Sequence, residues 1–123
     1  YWWAGGDSPA YPPTPAEPSE FNRGKVAAWM NDVPGAQSTD ALASIASALS
    51  AKPSEIVLIT GKAWQMDETF TSAAIAKLTG SPVRVHVVSV GPKLDDDPLA
   101  RLASKTSGMY IALTSEELGQ LSR

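Results

Sequence analysis

Residues 55–64 read EIVLITGKAW. Ile56, Val57, Leu58 and Ile59 form a continuous apolar run, the pattern of a strand covered on both faces in a parallel α/β sheet. The run breaks at Gly61-Lys62. Open α/β sheets place their ligands at the ends of such strands. Gly61 and Lys62 are therefore the first candidates for a site.

The rest of the chain alternates around this strand. On the C-terminal side, a helix is expected from about Asp67 to Thr79, with Phe70, Ala74 and Leu78 in line and Gly80 as its stop. Val83, Val85 and Val87 then alternate with Arg84 and His86 in a strand running to Val90. Asp96 or Asp97 caps the next helix, which has Pro98 in its first turn and Leu99, Leu102 and Ala103 as its apolar stripe. Gly108 ends it, and Met109 to Leu113 reads as a third strand. Thr114-Ser115-Glu116-Glu117 has capping-box spacing, with Leu118 and Leu121 expected to face inward. Strand, helix, strand, helix, strand, helix is the order of parallel strands joined by helical crossovers.

Two helices are expected before the first strand. One starts at Ser19-Glu20 with Val26, Trp29, Met30 and Val33 on a face, Trp29 being read as core. It stops at Pro34-Gly35. The other follows Ser38-Thr39-Asp40, whose oxygens suit an N-cap. It carries Leu42, Ile45, Ala46 and Leu49 and ends at Lys52-Pro53.

Residues 1–18 differ in kind. They hold half of the chain's 10 prolines and no Lys or Arg. After a short strand at residues 1–4, an irregular, winding connection is expected. Trp2, Trp3 and Tyr11 are too apolar for a pure linker. Trp2 and Trp3 are adjacent and point to opposite faces if extended, so burying both takes a cover on each side. Both are candidates for packing against a partner. The organisation expected is therefore a 1–18 aromatic, proline-rich segment and a 19–123 α/β domain. The chain opens on Tyr1 without a basic and apolar leader, and reads as a processed product, a fragment or part of a longer chain.

Composition narrows the classes of function. The 123 residues are 43% hydrophobic and 19% charged, enough for one core. A net charge of -3 gives no basic field for nucleic acid. No apolar run is long enough to span a bilayer. With no cysteine, thiolate metal sites and disulfides are excluded.

The chemical motifs are sparse. A phosphate loop around Gly61-Lys62 needs a glycine at position 56 and a hydroxyl residue at 63, and the chain has Ile56 and Ala63 there. Asp95-Asp96-Asp97 is the densest acidic cluster, and it precedes a helix whose N-terminus favours negative charge. His86, the single histidine, alternates with valines and reads as a packed or edge residue. No nucleophile elbow is present. Trp64, just past the strand end, is expected at the sheet's rim.

Four segments in order carry a resemblance: WMNDVPGAQSTDALASIASAL, KPSEIVLITGK, VRVHVVSVG and LARLASKTSGMYIALTSEELGQL. Together they resemble a bacterial-type von Willebrand factor type A domain over about residues 21–122. The resemblance implies a three-layer, Rossmann-like α/β sandwich with a mostly parallel sheet. It implies a non-catalytic protein–protein interaction module. It also implies a divalent cation held by an Asp-x-Ser-x-Ser motif, a Thr and the Asp of a Thr-Asp-Gly. Here Thr39 matches the Thr, but Gly61 stands at the Asp and Lys62 at the Gly. No Asp-x-Ser-x-Ser occurs. The metal site is degenerate, and no metal or other cofactor is expected. Lys62 either points into water or attracts a partner carboxylate directly. The candidate protein-binding residues are Thr39, Asp40, Lys62 and Trp64.

The family's first, central strand has no counterpart after Tyr1. Upstream residues, another chain, or a rearranged pairing of residues 1–4 with Ile56 are the ways to complete the sheet. The expected partners are proteins, including a chain or segment that fills this gap. An accessory subunit of a larger assembly is the second reading, and a Rossmann-like enzyme the third.

Overall fold

The computed structural model describes residues 16–32 and 40–122. The strand expected at 1–4, the candidates Trp2, Trp3 and Thr39, and the stop at Pro34-Gly35 lie outside the described residues. The chain divides into two compact units, Tyr1–Lys52 and Pro53–Arg123.

In the first unit, α1 spans Glu20–Asp32 and α2 spans Ala41–Ser50. Ser19 starts α1: its hydroxyl accepts from the Asn22 N–H at 3.2 Å. The Asn22 amide and the Arg23 guanidinium donate back to the carbonyls of Glu17 (2.9 Å) and Pro18 (3.0 Å). None of α1's residues is buried. Trp29, expected in the core, is half-buried, and Met30 is exposed. Phe21 and Met30, about two and a half turns apart, are exposed on opposite sides of the helix. Phe21 lies under the Lys25 ammonium, 4.3 Å from the ring centre. Helix α2 is better segregated, burying Ala41, Ser44 and Ile45, although Ala46 is exposed. Its last turn closes on Lys52, which takes a left-handed φ of 52° just before Pro53.

The second unit runs β1 (Glu55–Thr60), α3 (Glu68–Leu78), β2 (Arg84–Val90), α4 (Pro98–Lys105), β3 (Tyr110–Leu113) and α5 (Ser115–Leu121). The strands form a parallel sheet in the order β1-β2-β3. The expected alternation and mixed α/β class are both found. Paired residues in a parallel ladder share a face, so the register sorts the side chains. Leu58, Thr60, Val85, Val87 and Ser89 lie on one face and are buried. The helices supply Ala74, Leu78, Leu99, Leu102 and Ala103 to the same buried set. Helices α3 and α4 pack on each other, and α4 packs on β2 and β3.

The other face departs from expectation. Strand β1 was expected to be covered on both sides, but Val57 is 58% and Ile59 62% exposed. Ile111 and Met109 are also exposed. An apolar run shows that a strand can be covered twice, and the covering layer is decided by other parts of the chain. Leu118 and Leu121, expected to face inward, are likewise exposed. Their helix is seven residues long and packs chiefly on β3, so it has little surface to bury them against.

Candidate functional site

The carboxyl ends of the three strands line up, with Thr60 beside Ser89 and Val90 beside Leu113. Each strand end then turns into a helix start capped by a side chain. Asp67 accepts from the Phe70 N–H (2.9 Å) to begin α3. Asp97 accepts from the Leu99 N–H (3.0 Å) to begin α4. Thr114 and Glu117 exchange hydrogen bonds to begin α5, the capping box read in the sequence. The Glu117 carboxyl is held below its usual range, first by the Thr114 N–H and then by Lys93, whose ammonium is 3.0 Å away. Asp67, Asp97 and Glu117 are thus spent on helix N-termini, where negative charge is stabilised.

At the end of β1 the chain makes a tight bend. The buried Thr60 hydroxyl accepts from the Lys62 N–H at 3.0 Å. A 3-10 turn follows at Ala63–Gln65, anchored by buried Ala63 and Met66. The anchoring pushes Trp64 outward, and it is 68% exposed, as its position past the strand end suggested. Lys62 is half-buried at the start of the turn. Lys62 and Trp64 therefore share one short turn at the rim. Asp40 lies in the unit ending at Lys52, where its carboxylate accepts from the Ala43 N–H (3.0 Å) and caps α2.

Gly61 has room for a side chain: the nearest atom to an added Cβ is the Val90 carbonyl oxygen at 3.9 Å. Its missing carboxylate reflects the residue chosen and not crowding. A hard cation takes about six or more oxygen ligands. This edge offers a glycine and a lysine where the resemblance calls for an acid and a glycine. Among the described residues, no group of three or more His, Asp or Glu side chains is placed to hold a metal.

One polar cluster escaped the sequence reading. The Tyr110 hydroxyl donates to Asp97 at 2.5 Å, and Ser89 is its further partner. Asp97 thus caps α4 with one oxygen and holds Tyr110 with the other, while only 7% exposed. The signal was available: Tyr110 pairs with Val87 on the buried face, and a covered phenol needs a partner. Tyr110 and Asp97 border a cleft of about 460 Å³ that also meets Glu68, Leu94 and Arg101. Arg101 is ion-paired to Glu68 and donates to Ser72. His86, read as packed or at an edge, accepts from the Met109 N–H through Nδ1 at 3.2 Å, while its Nε2 is buried without a partner.

Burial, then the hydrogen bond and charge of Asp97, pushes the Tyr110 phenol up to about 12 from 10.0, with Ser89 offsetting part of this. The folded state therefore holds this proton more tightly than the unfolded state. The resulting stability is complete below about pH 10 and lost as pH rises through about 12. Thermal midpoints measured across this range are expected to fall more steeply for the wild type than for Tyr110→Phe. Parallel curves would contradict the assignment.

The family model described as von Willebrand factor type A domain matches residues 12–112, well over half of the chain. No curated protein matches it. The match covers β1, β2, α3, α4 and most of β3, the elements that form the rim. A three-stranded parallel sheet flanked by helices, with its strand ends turned into capped helices, agrees with that assignment. The chain belongs to the von Willebrand factor type A domain family.

Proposed function

We infer that this domain is a non-catalytic protein–protein interaction module that works without a metal ion. Proteins of its family are commonly non-enzymatic interaction modules. The observation that carries the reading is the turn at the end of β1. It holds the half-buried Lys62 and the outward-facing Trp64 two residues apart, with Gly61 in place of an acidic ligand. A large exposed aromatic next to a cation is a common anchor in protein interfaces. The partner chemistry it suits is a carboxylate flanked by apolar surface. Thr39 and Asp40 are proposed as further contacts, and Trp2 and Trp3 as packing residues. With net charge -3, nucleic acid is not a proposed partner. Among the described residues no helix is long and apolar enough to cross a membrane.

Two measurements test the reading. Titration calorimetry with magnesium or manganese is expected to show no stoichiometric heat; clear one-to-one binding would overturn the metal-free claim. A partner captured equally with magnesium or chelator present, and lost with Lys62→Glu or Trp64→Ala, is the expected interaction result. Capture that survives both substitutions would remove this turn from the interface.

A second reading is a subunit stable only within a larger assembly. The exposed Val57, Ile59, Met109 and Ile111 favour it, because such apolar surface marks contact sites. In this case the gap beside β1 is filled by another chain. A well-folded monomer with protected amides along β1 would count against it.

A further inference from the structure

His86 lies in β2, the central strand of the described sheet, opposite Val57 of β1. Its side chain points away from the face that holds Val85 and Val87. Two contacts fix the state of the ring. Nδ1 accepts the Met109 N–H at 3.2 Å. Nε2 is buried and meets no hydrogen-bond partner. A ring nitrogen that accepts carries no proton, so the neutral ring keeps its one proton on Nε2.

The Met109 bond sits at the entrance to β3. Met109 precedes Tyr110, the first residue of that strand, and its carbonyl accepts from the Val87 N–H at 2.8 Å. Neighbouring residues of β2 thus hold Met109 by both its backbone groups. One hold is backbone to backbone and the other is the His86 ring, which alone can change its charge.

An imidazolium does not fit this place. It has two N–H donors and no acceptor. One would face the Met109 N–H, and the other would stay buried without a partner, which is costly for a charged group. The surrounding charges offer no relief. β1, β3 and α4 pack on β2 or directly beside it. Their single carboxylate is Glu55, and it is paired to Arg84, two residues before His86. Arg101 and Lys105, the charged residues of α4, are cations.

We propose that His86 is a proton-operated clasp on the entrance to β3. The neutral ring pins Met109 to β2. The charged ring must swing out to water, and the Met109 N–H loses its acceptor while the Val87 bond remains. The sign follows from the chemistry: the clasp is closed at high pH and opens as pH falls. Imidazoles take up their proton between about pH 8 and 5. The inference is independent of the proposed interaction turn at Lys62 and Trp64.

Nitrogen-15 NMR of the full 123-residue chain tests it, and a single histidine gives a single set of ring signals. At pH 8 the expected pattern is a bare Nδ1 and a protonated Nε2. As pH falls, the Met109 amide signal is expected to move along the same curve as the ring. Its protection from hydrogen exchange, corrected for the intrinsic rate, is expected to drop by at least about tenfold. His86→Gln keeps a side-chain acceptor that does not titrate, and is expected to hold the Met109 amide constant over this range. A proton on Nδ1 at pH 8 would overturn the proposal. So would a ring that stays neutral to pH 5 in the folded chain, or one that charges while the Met109 amide stands still. The same acid response in His86→Gln would assign the change to another group and overturn it as well.

Discussion

Gly108→Ala is expected to destabilise the α/β unit by about 3 kcal/mol or more, enough to unfold a marginal domain. A Cβ at this position would stand 1.9 Å from the Val85 carbonyl oxygen, 2.5 Å from its carbon and 3.2 Å from the His86 nitrogen. All three are backbone atoms of β2, the central strand. β2 cannot retreat without loosening the ladders to β1 and β3 together. Nor can Gly108 move easily, because its N–H is held by the Ala103 carbonyl at 2.8 Å. Two other glycines calibrate the effect. Gly80 has open space but a φ of +83°, so Gly80→Ala is expected to cost only about 1 kcal/mol of backbone strain. Gly61 has neither constraint, and Gly61→Ala is expected to be within about 0.5 kcal/mol of neutral. Urea midpoints for the three variants check the ranking. A Gly108→Ala midpoint as high as that of Gly61→Ala would refute it.

Asp97→Ala is expected to cost about 2–4 kcal/mol. Two losses combine. The α4 N-terminus gives up its cap, typically worth about 1 kcal/mol. The half-buried Tyr110 hydroxyl loses its 2.5 Å acceptor, and stranding such a group costs about 1–3 kcal/mol. Asp97→Asn keeps a capping oxygen and is expected to lose less than the alanine variant. In the Tyr110→Phe background the alanine change is expected to cost less than in the wild type, because the stranded hydroxyl is gone. A double-mutant cycle by denaturant unfolding measures that coupling. Strict additivity would mean that Asp97 supports α4 alone.

The sequence showed every α-helix and strand from Glu20 onward that the structure describes, because each carried a local signature, but not the 3-10 turn at Ala63–Gln65. Asp67, Asp97 and Thr114 sit where their spacing to the next apolar residues placed helix starts. The alternating valines of β2 gave its buried face. What local pattern could not supply was how many layers cover a surface. Ile56–Ile59 and Leu118–Leu121 are apolar, yet Val57, Ile59, Leu118 and Leu121 face outward. Their burial depends on partners distant in sequence. Gly108 makes the same point more finely. It was read as a helix stop, but the left-handed residue there is Ser107, at φ 57°. The glycine is needed because β2 passes against it, a tertiary demand that no dipeptide signals.

The site was half legible. Gly61 and Lys62 were visible as departures at a strand end, and Trp64 as a rim residue. The Asp97–Tyr110 bond joins residues from two elements. It could be anticipated only by asking where a phenol on the covered face finds an acceptor.

The parallel register has a kinetic side. Glu55 and Arg84, the first matched pair of β1 and β2, are 29 residues apart, and His86 meets Met109 across 23. No two of the described strands are joined by a hairpin, so none of these pairings can zip up from a turn. Each strand pair must wait for a helix to form and swing the chain back, with the closure entropy spent before any ladder bond is gained. The β2 segment, which takes part in both pairings, is then the obligatory meeting point of the folding reaction. Substitutions in β2 and in the α3 and α4 crossovers are expected to slow folding, and those on the outer side of β1 to leave its rate nearly unchanged.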